Sequence, residues 1–186
     1  MMKHVGTREI LSDRLLLRRQ TISDAQEMFD CYAKDGEVTK YLTWNPHKSV
    51  NETLTLLKIW VEEYKSLDSY RWFITNRNTG ALMGAIDVVA YHNNNPIIGY
   101  VLGRSYWNKG YMSEALSAVI NYLFNTVGTK KILIAAEEEN IASQKVILKN
   151  GFRFVNLERK YFKNKDEFKI IFNYELSKKQ YLERKL

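Results

Sequence analysis

The chain has 186 residues, 45% hydrophobic and 26% charged, a size that buries about 70% of the unfolded surface and needs no metal or disulfide to fold. Nine glycines and two prolines exclude a fibrous or low-complexity chain, and one cysteine, Cys31, excludes an intrachain disulfide and a thiolate zinc site. Net charge is +7 and unevenly held: residues 1–144 carry 16 basic and 16 acidic side chains, residues 145–186 carry 12 and 5, a field that suits a polyanionic cofactor, nucleic acid or an acidic partner.

MMKHVGTREILSDRLLLRR carries early positive charge without the apolar run of a signal peptide. No segment reaches the ~20 apolar residues of a membrane span. A cytoplasmic protein with no membrane partner is expected, folded as a single domain over 1–186.

Leu15–Arg18 is short, apolar and flanked by charge, and reads as the opening strand. Thr21 or Ser23 then caps a helix with Ala25, Met28, Phe29 and Tyr32 at helical spacing. A second helix starts after Ser49 or Asn51 and aligns Leu54, Leu57, Trp60, Val61 and Tyr64 on one face. From Tyr70 the period falls to two. Tyr70–Thr75 and Ala81–Tyr91 form a hairpin about Asn76–Gly80, and Asn93–Pro96 turns into Ile97–Gly103, apolar enough to be central. After a loop over Arg104–Gly110, a helix from Tyr111 to Asn125 carries a wide apolar stripe. Lys131–Ala136 is a buried-type strand. Asn140 caps a helix that ends at Asn150 with Gly151 as its left-handed terminator. Phe152–Asn156 and Glu167–Leu176 close the pattern, β-α-α-β-β-β-α-β-α-β-β, an α+β fold of mixed α/β layers.

The chemistry concentrates in GYVLGRSYWNKGYMSEAL, residues 99–116. A strand, a short loop with Gly110 and a helix start follow one another. The unpaired N–H groups of the first helical turn and the helix dipole form an anion site, Gly110 permits close backbone approach, and Lys109 adds charge. The next strand–helix unit holds NIASQKVILKNGF, residues 140–152.

Together, YWNKGYMSEAL and NIASQKVILKNGF resemble the Gcn5-related N-acetyltransferase (GNAT) superfamily, and within it the RimJ/RimL branch. SDRLLLRRQTISDAQEMF (residues 12–29), Gly84 and Gly99–Tyr100 fit as well. The resemblance spans residues 10–176. It implies a central mixed, mostly antiparallel sheet flanked by helices, and acetyl-CoA as co-substrate without a metal. The family's pyrophosphate loop falls on Trp107 to Met112, so the amides of Asn108, Lys109, Gly110, Tyr111, Met112 and Ser113 are the implied anion cradle. Tyr100, Val101 and Leu102 fall beside the pantetheine arm. Asn140 matches the asparagine that bonds pantetheine, and Ser143 the serine proposed to protonate the leaving thiolate.

There are departures from the pattern. Ile147 stands where many members have the acid tyrosine, Ile97 where the branch has a glutamate, and Ile170 near a late-strand aspartate. Asp87 interrupts an otherwise apolar strand, which is unfavourable unless the group is solvated, paired or functional, and it is the first candidate for general base. Glu114 in the first helical turn fits a dipole role. His47 and His92 read as surface histidines. Tyr41, Trp44 and Trp72 could line an acceptor cleft, and Cys31 is expected to be a buried, inert thiol.

These readings point to an enzyme that moves acetyl to a primary amine, either a peptide N-terminus or a small molecule, with ribosome association and a homodimer as further partner states. Two alternatives stay open: a non-catalytic acyl-CoA sensor, favoured by Ile97 and Ile147, and an RNA- or ribosome-binding protein that uses the basic C-terminal third. The segment Lys160–Lys165 is read as a solvated hairpin, and Ser177–Leu186 as an amphipathic stretch.

Overall fold

The computed structural model describes residues 2–163 and 165–184. Eight strands among them form one sheet. In chain order these are β1 (Ile10–Leu11), β2 (Leu15–Arg18), β3 (Arg71–Asn76), β4 (Leu82–His92), β5 (Asn95–Leu102), β6 (Lys131–Glu137), β7 (Arg153–Phe162) and β8 (Glu167–Ser177). Their spatial order is β1-β2-β3-β4-β5-β6-β8-β7. Every neighbouring pair is antiparallel except β5 and β6. That parallel step needs a crossover, supplied by the helix α4 (Tyr111–Tyr122).

The helices lie on the two faces. On one, Met112, Ala115, Leu116, Val119 and Ile120 of α4 pack on Leu15, Leu17, Trp72, Ile86 and Ile98, with Ile147 of α5 (Ile141–Lys149) beside them. On the other, α1 (Ala25–Met28), α2 (Gly36–Thr39) and α3 (Val50–Glu63) bring Ala25, Met28, Val38 and Leu57 onto Phe73, Leu82 and Ala85. Alternate residues of β3 and β4 therefore serve opposite cores, as the period of two requires.

The predicted caps are present. Ser49 accepts a hydrogen bond from the Glu52 amide, Asn140 accepts from the Ser143 amide, and Gly151 ends α5 at φ +86°. The first helix departs from the reading: Thr21 precedes a 3-10 turn at Ile22–Asp24, the Asp24 carboxylate accepts from the Thr21 amide, and α geometry holds only over Ala25–Met28 before a π-helical turn at Phe29–Ala33. Four further details differ from the sequence reading. β1 and α2 were not expected, being too short to show a period. The Tyr111–Asn125 helix loosens into a π-helical turn at Leu123–Val127 before Gly128. Pro96 lies inside β5 rather than in the turn. The Phe152–Asn156 strand runs on to Phe162, because β8 continues as its partner to the Phe162–Glu167 pair. As an edge strand β7 is exposed almost throughout, so burial imposes no alternation on it. The amphipathic tail forms α6 (Lys178–Glu183), whose Tyr181 ring packs on Phe124 at 5.0 Å. Asn164, Lys185 and Leu186, which belong to the two tail readings, lie outside the described residues.

Candidate active site

β5 and β6 are in register only at Ile97–Leu133 and Ile98–Ile134. Beyond that point β5 keeps β4 as partner through Leu102, and β6 keeps β8 through Glu137. The two strands part. From Gly99 onward the β6-facing edge of β5 borders a cleft instead of a strand, and backbone groups there must find other partners. A cavity of about 480 Å³ occupies the split, lined by Ile97–Val101 of β5 and Ile134–Glu137 of β6. Gly84 holds β4 tight against this stretch: a Cβ there would stand 2.2 Å from the Val101 carbonyl oxygen.

On the α4–α5 side of the split, the Tyr100 hydroxyl lies 2.8 Å from Ser143 Oγ. Asn140 fixes the start of α5 by accepting from the Ser143 amide at 3.1 Å. Burial drives the Tyr100 pKa well up, so the Tyr100–Ser143 pair stays protonated and can donate. Ile147 is fully buried in the core and can serve no acid role.

On the α1–α3 side stands Asp87, directly opposite Gly99. It is 8% exposed. Its carboxylate accepts from Arg71 Nη1 and from the Trp72 amide, both at 3.2 Å. Burial pushes its pKa up to about 6, against the opposing pull of Arg71 and the Trp72 amide. Arg71 in turn bonds Glu63 at 2.6 Å. Tyr32, Tyr41, Trp44 and Trp60 wall this half of the cavity. Two polar side chains there have no hydrogen-bond partner: the Tyr32 hydroxyl and the Glu137 carboxylate, 1% and 4% exposed. Burial raises the Glu137 pKa, and Lys169 and Lys165 offset part of the effect.

The start of α4 lies at the outer end of the loop after β5. Trp107 Nε1 donates to the Leu102 carbonyl at 2.7 Å and closes the strand end. Asn108 and Gly110 then take φ of +59° and +78°, and no side chain caps the helix. The amides of Tyr111, Met112 and Ser113 thus open its positive end. A second cavity of about 620 Å³ adjoins it, lined by Arg14, Lys109, Gly110, Ser113, Lys149 and Arg184 among others. Lys109 reaches back to the Ser105 carbonyl at 2.8 Å, and Met112 is buried in the core, so both contribute to the loop mainly through backbone.

The structure thus brings Asp87, Tyr100, Val101, Asn140 and Ser143 to one cavity and Lys109, Gly110 and Ser113 to the other. Several expectations need correction. Trp72 is not in the cleft. It is fully buried in the α4-side core, with Nε1 donating to the Arg8 carbonyl at 2.7 Å, because the alternation of β3 turns it away from Arg71. Trp60 takes that wall instead. His47 is half-buried rather than a plain surface group, bonded to Thr53 Oγ1 at 2.7 Å, and burial lowers its pKa. Glu114 keeps its expected place in the first turn of α4 and in addition accepts from Ser12 Oγ, the Arg14 amide and Arg14 Nε, so it ties α4 to the β1–β2 turn. Cys31 is half-buried, its thiol pushed up to about 12 by burial. Sequence reasoning missed Glu137, Tyr32, Arg71, Arg14 and Arg184. Only Glu137 gave a signal, as a charge ending an apolar strand. Among the described residues no cluster of three or more His, Cys, Asp or Glu side chains could hold a metal ion.

A parallel pair splayed around a cavity, followed by an uncapped helix start, is the architecture of an acyl-CoA N-acyltransferase. The family profile described as an acetyltransferase (GNAT) domain matches residues 14–153. The chain belongs to that family and is an acetyltransferase. It is 32% identical to the uncharacterized N-acetyltransferase YoaA of Bacillus subtilis over 152 residues, covering 81% of this chain and 85% of that one. A GNAT-family acetyltransferase structure from Bacillus anthracis has a TM-score of 0.81 at 24% identity, covering 92% of this chain and 99% of that one. RimL, a ribosomal L7/L12 α-N-protein acetyltransferase solved with coenzyme A, has a TM-score of 0.81 at 21% identity, covering 91% and 98%. No helix among the described residues is long and apolar enough to cross a membrane.

Proposed function

We propose that this chain, acting as one domain, moves the acetyl group of acetyl-CoA to a primary amine by direct attack. The observation that carries the reading is the split between β5 and β6, with a neutral hydroxyl pair on one side and a buried carboxylate on the other. The α4 amides and the cations around the second cavity suit the coenzyme A phosphates. The free edge of β5 suits the amide-bearing pantetheine arm, which would add to it as a strand does. The thioester would then lie near Gly99–Val101, between Asp87 and Ser143.

The chain's own groups have balanced tasks. Asp87, ionised above about pH 6, takes a proton from the amine, directly or through one water. The amine nitrogen bonds the carbonyl carbon, the C–S bond breaks, and Ser143, backed by Tyr100, gives its proton to the departing sulfur and regains one from solvent, to which Asp87 releases the proton it took from the amine. Backbone N–H groups on the β5 edge stabilise the oxyanion. Asp87 supplies the base that Ile97 does not, which favours an enzyme over a sensor. Lys149 and Arg184, part of the basic C-terminal third, line the cavity beside α4, which favours coenzyme A over RNA as the anion they meet.

The test is calorimetric titration with acetyl-CoA, followed by thiol release against a panel of amines and N-terminal peptides. Binding with release on at least one acceptor is expected. No binding of acetyl-CoA sinks the proposal.

A further inference from the structure

The acceptor half of the first cavity holds more polar groups than transfer to a simple amine requires. Asp87 sits on β4 opposite Gly99. Counting along β6 from the Ile98–Ile134 pair puts Glu137 level with Val101, on the same face of the sheet as Asp87. The two residues flank β5, so their backbones are two strand spacings, at least about 10 Å, apart.

Each carboxylate has a cation beside it that is already shared. Arg71 lies between Asp87 and Glu63. Lys169 lies 3.3 Å from Glu167 and 3.8 Å from Glu137, too far in the second case for a hydrogen bond. Lys165 gives its hydrogen bonds to the Thr39 and Lys40 carbonyls, and Lys160 is exposed at the rim. Each end of the cavity thus retains an acidic group. The Glu137 oxygens accept no hydrogen bond although they are buried. A buried acceptor left unpaired is unfavourable, and more so when charged. An N–H-rich cation placed there would relieve it.

We infer that the acceptor is a small aliphatic amine with a second, protonated nitrogen: the reacting amine lies at Asp87 and the second ammonium is held by Glu137. Aromatic side chains suit such a ligand. Tyr41, Trp44 and Trp60 supply apolar wall for the alkyl chain between the nitrogens, although Arg71 and Lys40 already lie over the Trp60 and Tyr41 rings. The unpartnered Tyr32 hydroxyl can accept from one of the amines. The roof is closed on one side, where Lys165 of the β7–β8 hairpin bonds the Thr39 and Lys40 carbonyls, which favours a small molecule over a long peptide.

This inference rests on the transferase reading and can be separated from it. The experiment compares KM and kcat for diaminobutane and butylamine, which differ by the second nitrogen, in wild type and in Glu137→Gln. Wild type is expected to have a KM at least about tenfold lower for diaminobutane, the scale of one charge-assisted hydrogen bond. In Glu137→Gln that preference collapses, whereas a general structural defect would impair both amines alike. Equal KM values in wild type, or a preference that survives the substitution, overturn the inference. The wild-type comparison needs no variant, should Glu137→Gln fail to fold. Thiol release on N-terminal peptides but not on diaminobutane overturns the acceptor class and leaves the transferase. Glu137-dependent binding of diaminobutane by calorimetry, with no thiol release on any acceptor, supports the cation site and removes the transfer.

Discussion

If Asp87 is the base proposed above, a single side chain links stability to chemistry. Its carboxyl titrates near 6 in the fold against the ordinary 3.8, so the folded state binds its proton more tightly than the unfolded state does. That contribution is complete below about pH 4 and is lost as pH rises through 6. A shift of this size corresponds to about 3 kcal/mol. In Asp87→Asn the fall in thermal midpoint from pH 4 to 6.5 should flatten, as differential scanning calorimetry across that range would register. The same ionisation should place the acid limb of kcat/KM near pH 6, and the Asn variant should lose that limb and about a hundredfold or more in rate. An unmoved limb would assign the base elsewhere. At Ser143 the expectation concerns sulfur. Ser143→Ala removes the donor beside Tyr100 and should reduce kcat with a natural thioester about tenfold or more, with little change in melting temperature. Equal kcat in the two proteins would leave Ser143 as a cofactor contact alone.

At the scale of elements the decisive feature is β5, held against β4 and released by β6. Gly84 makes that hold possible, because a Cβ there would overlap the Val101 carbonyl at 2.2 Å and lie 3.0 Å from the Leu102 Cα. Both contacts are backbone, so relief requires β5 itself to move. Gly84→Ala should therefore destabilise the fold by about 1–3 kcal/mol and weaken acetyl-CoA binding together with it. Chemical denaturation and calorimetric titration of the same sample would show whether the losses travel together. Lost stability with unaltered affinity would mean that β5 does not seat the cofactor. The helices around the site were largely legible, because Ser49, Asn140 and Gly151 mark their ends chemically. The caps act locally and need no partner element. β1 and α2 left no trace, since two- and four-residue elements owe their form to neighbours. The full length of β7 was hidden because an edge strand answers to its partner's hydrogen bonds.

Over the whole molecule the basic excess of residues 145–186 divides between an exposed hairpin and the cavity beside α4, where Lys149 and Arg184 join Arg14 and Lys109 from distant segments. Such a grouping should raise the rate of encounter with a polyanion and be screened by salt. Stopped-flow association of acetyl-CoA is expected to slow several-fold between about 0.05 and 0.5 M salt, and charge reversal of Arg184 should reduce that dependence. A rate indifferent to salt would return the basic tail to plain solvation. The sequence by itself determined the layered α+β plan, the helix start after Gly110 and the Asn140–Ser143 unit, because hydrophobic period and capping act within a few residues. Asp87 also stood out locally, as a charge in an apolar strand. Only the tertiary structure decided which charges meet. Strand pairing sets Asp87 opposite Gly99, the parting of β5 from β6 opens the cavity, and the β6–β8 pairing buries Glu137 without a hydrogen-bond partner. These are contacts between residues far apart in the chain, and no local pattern encodes them.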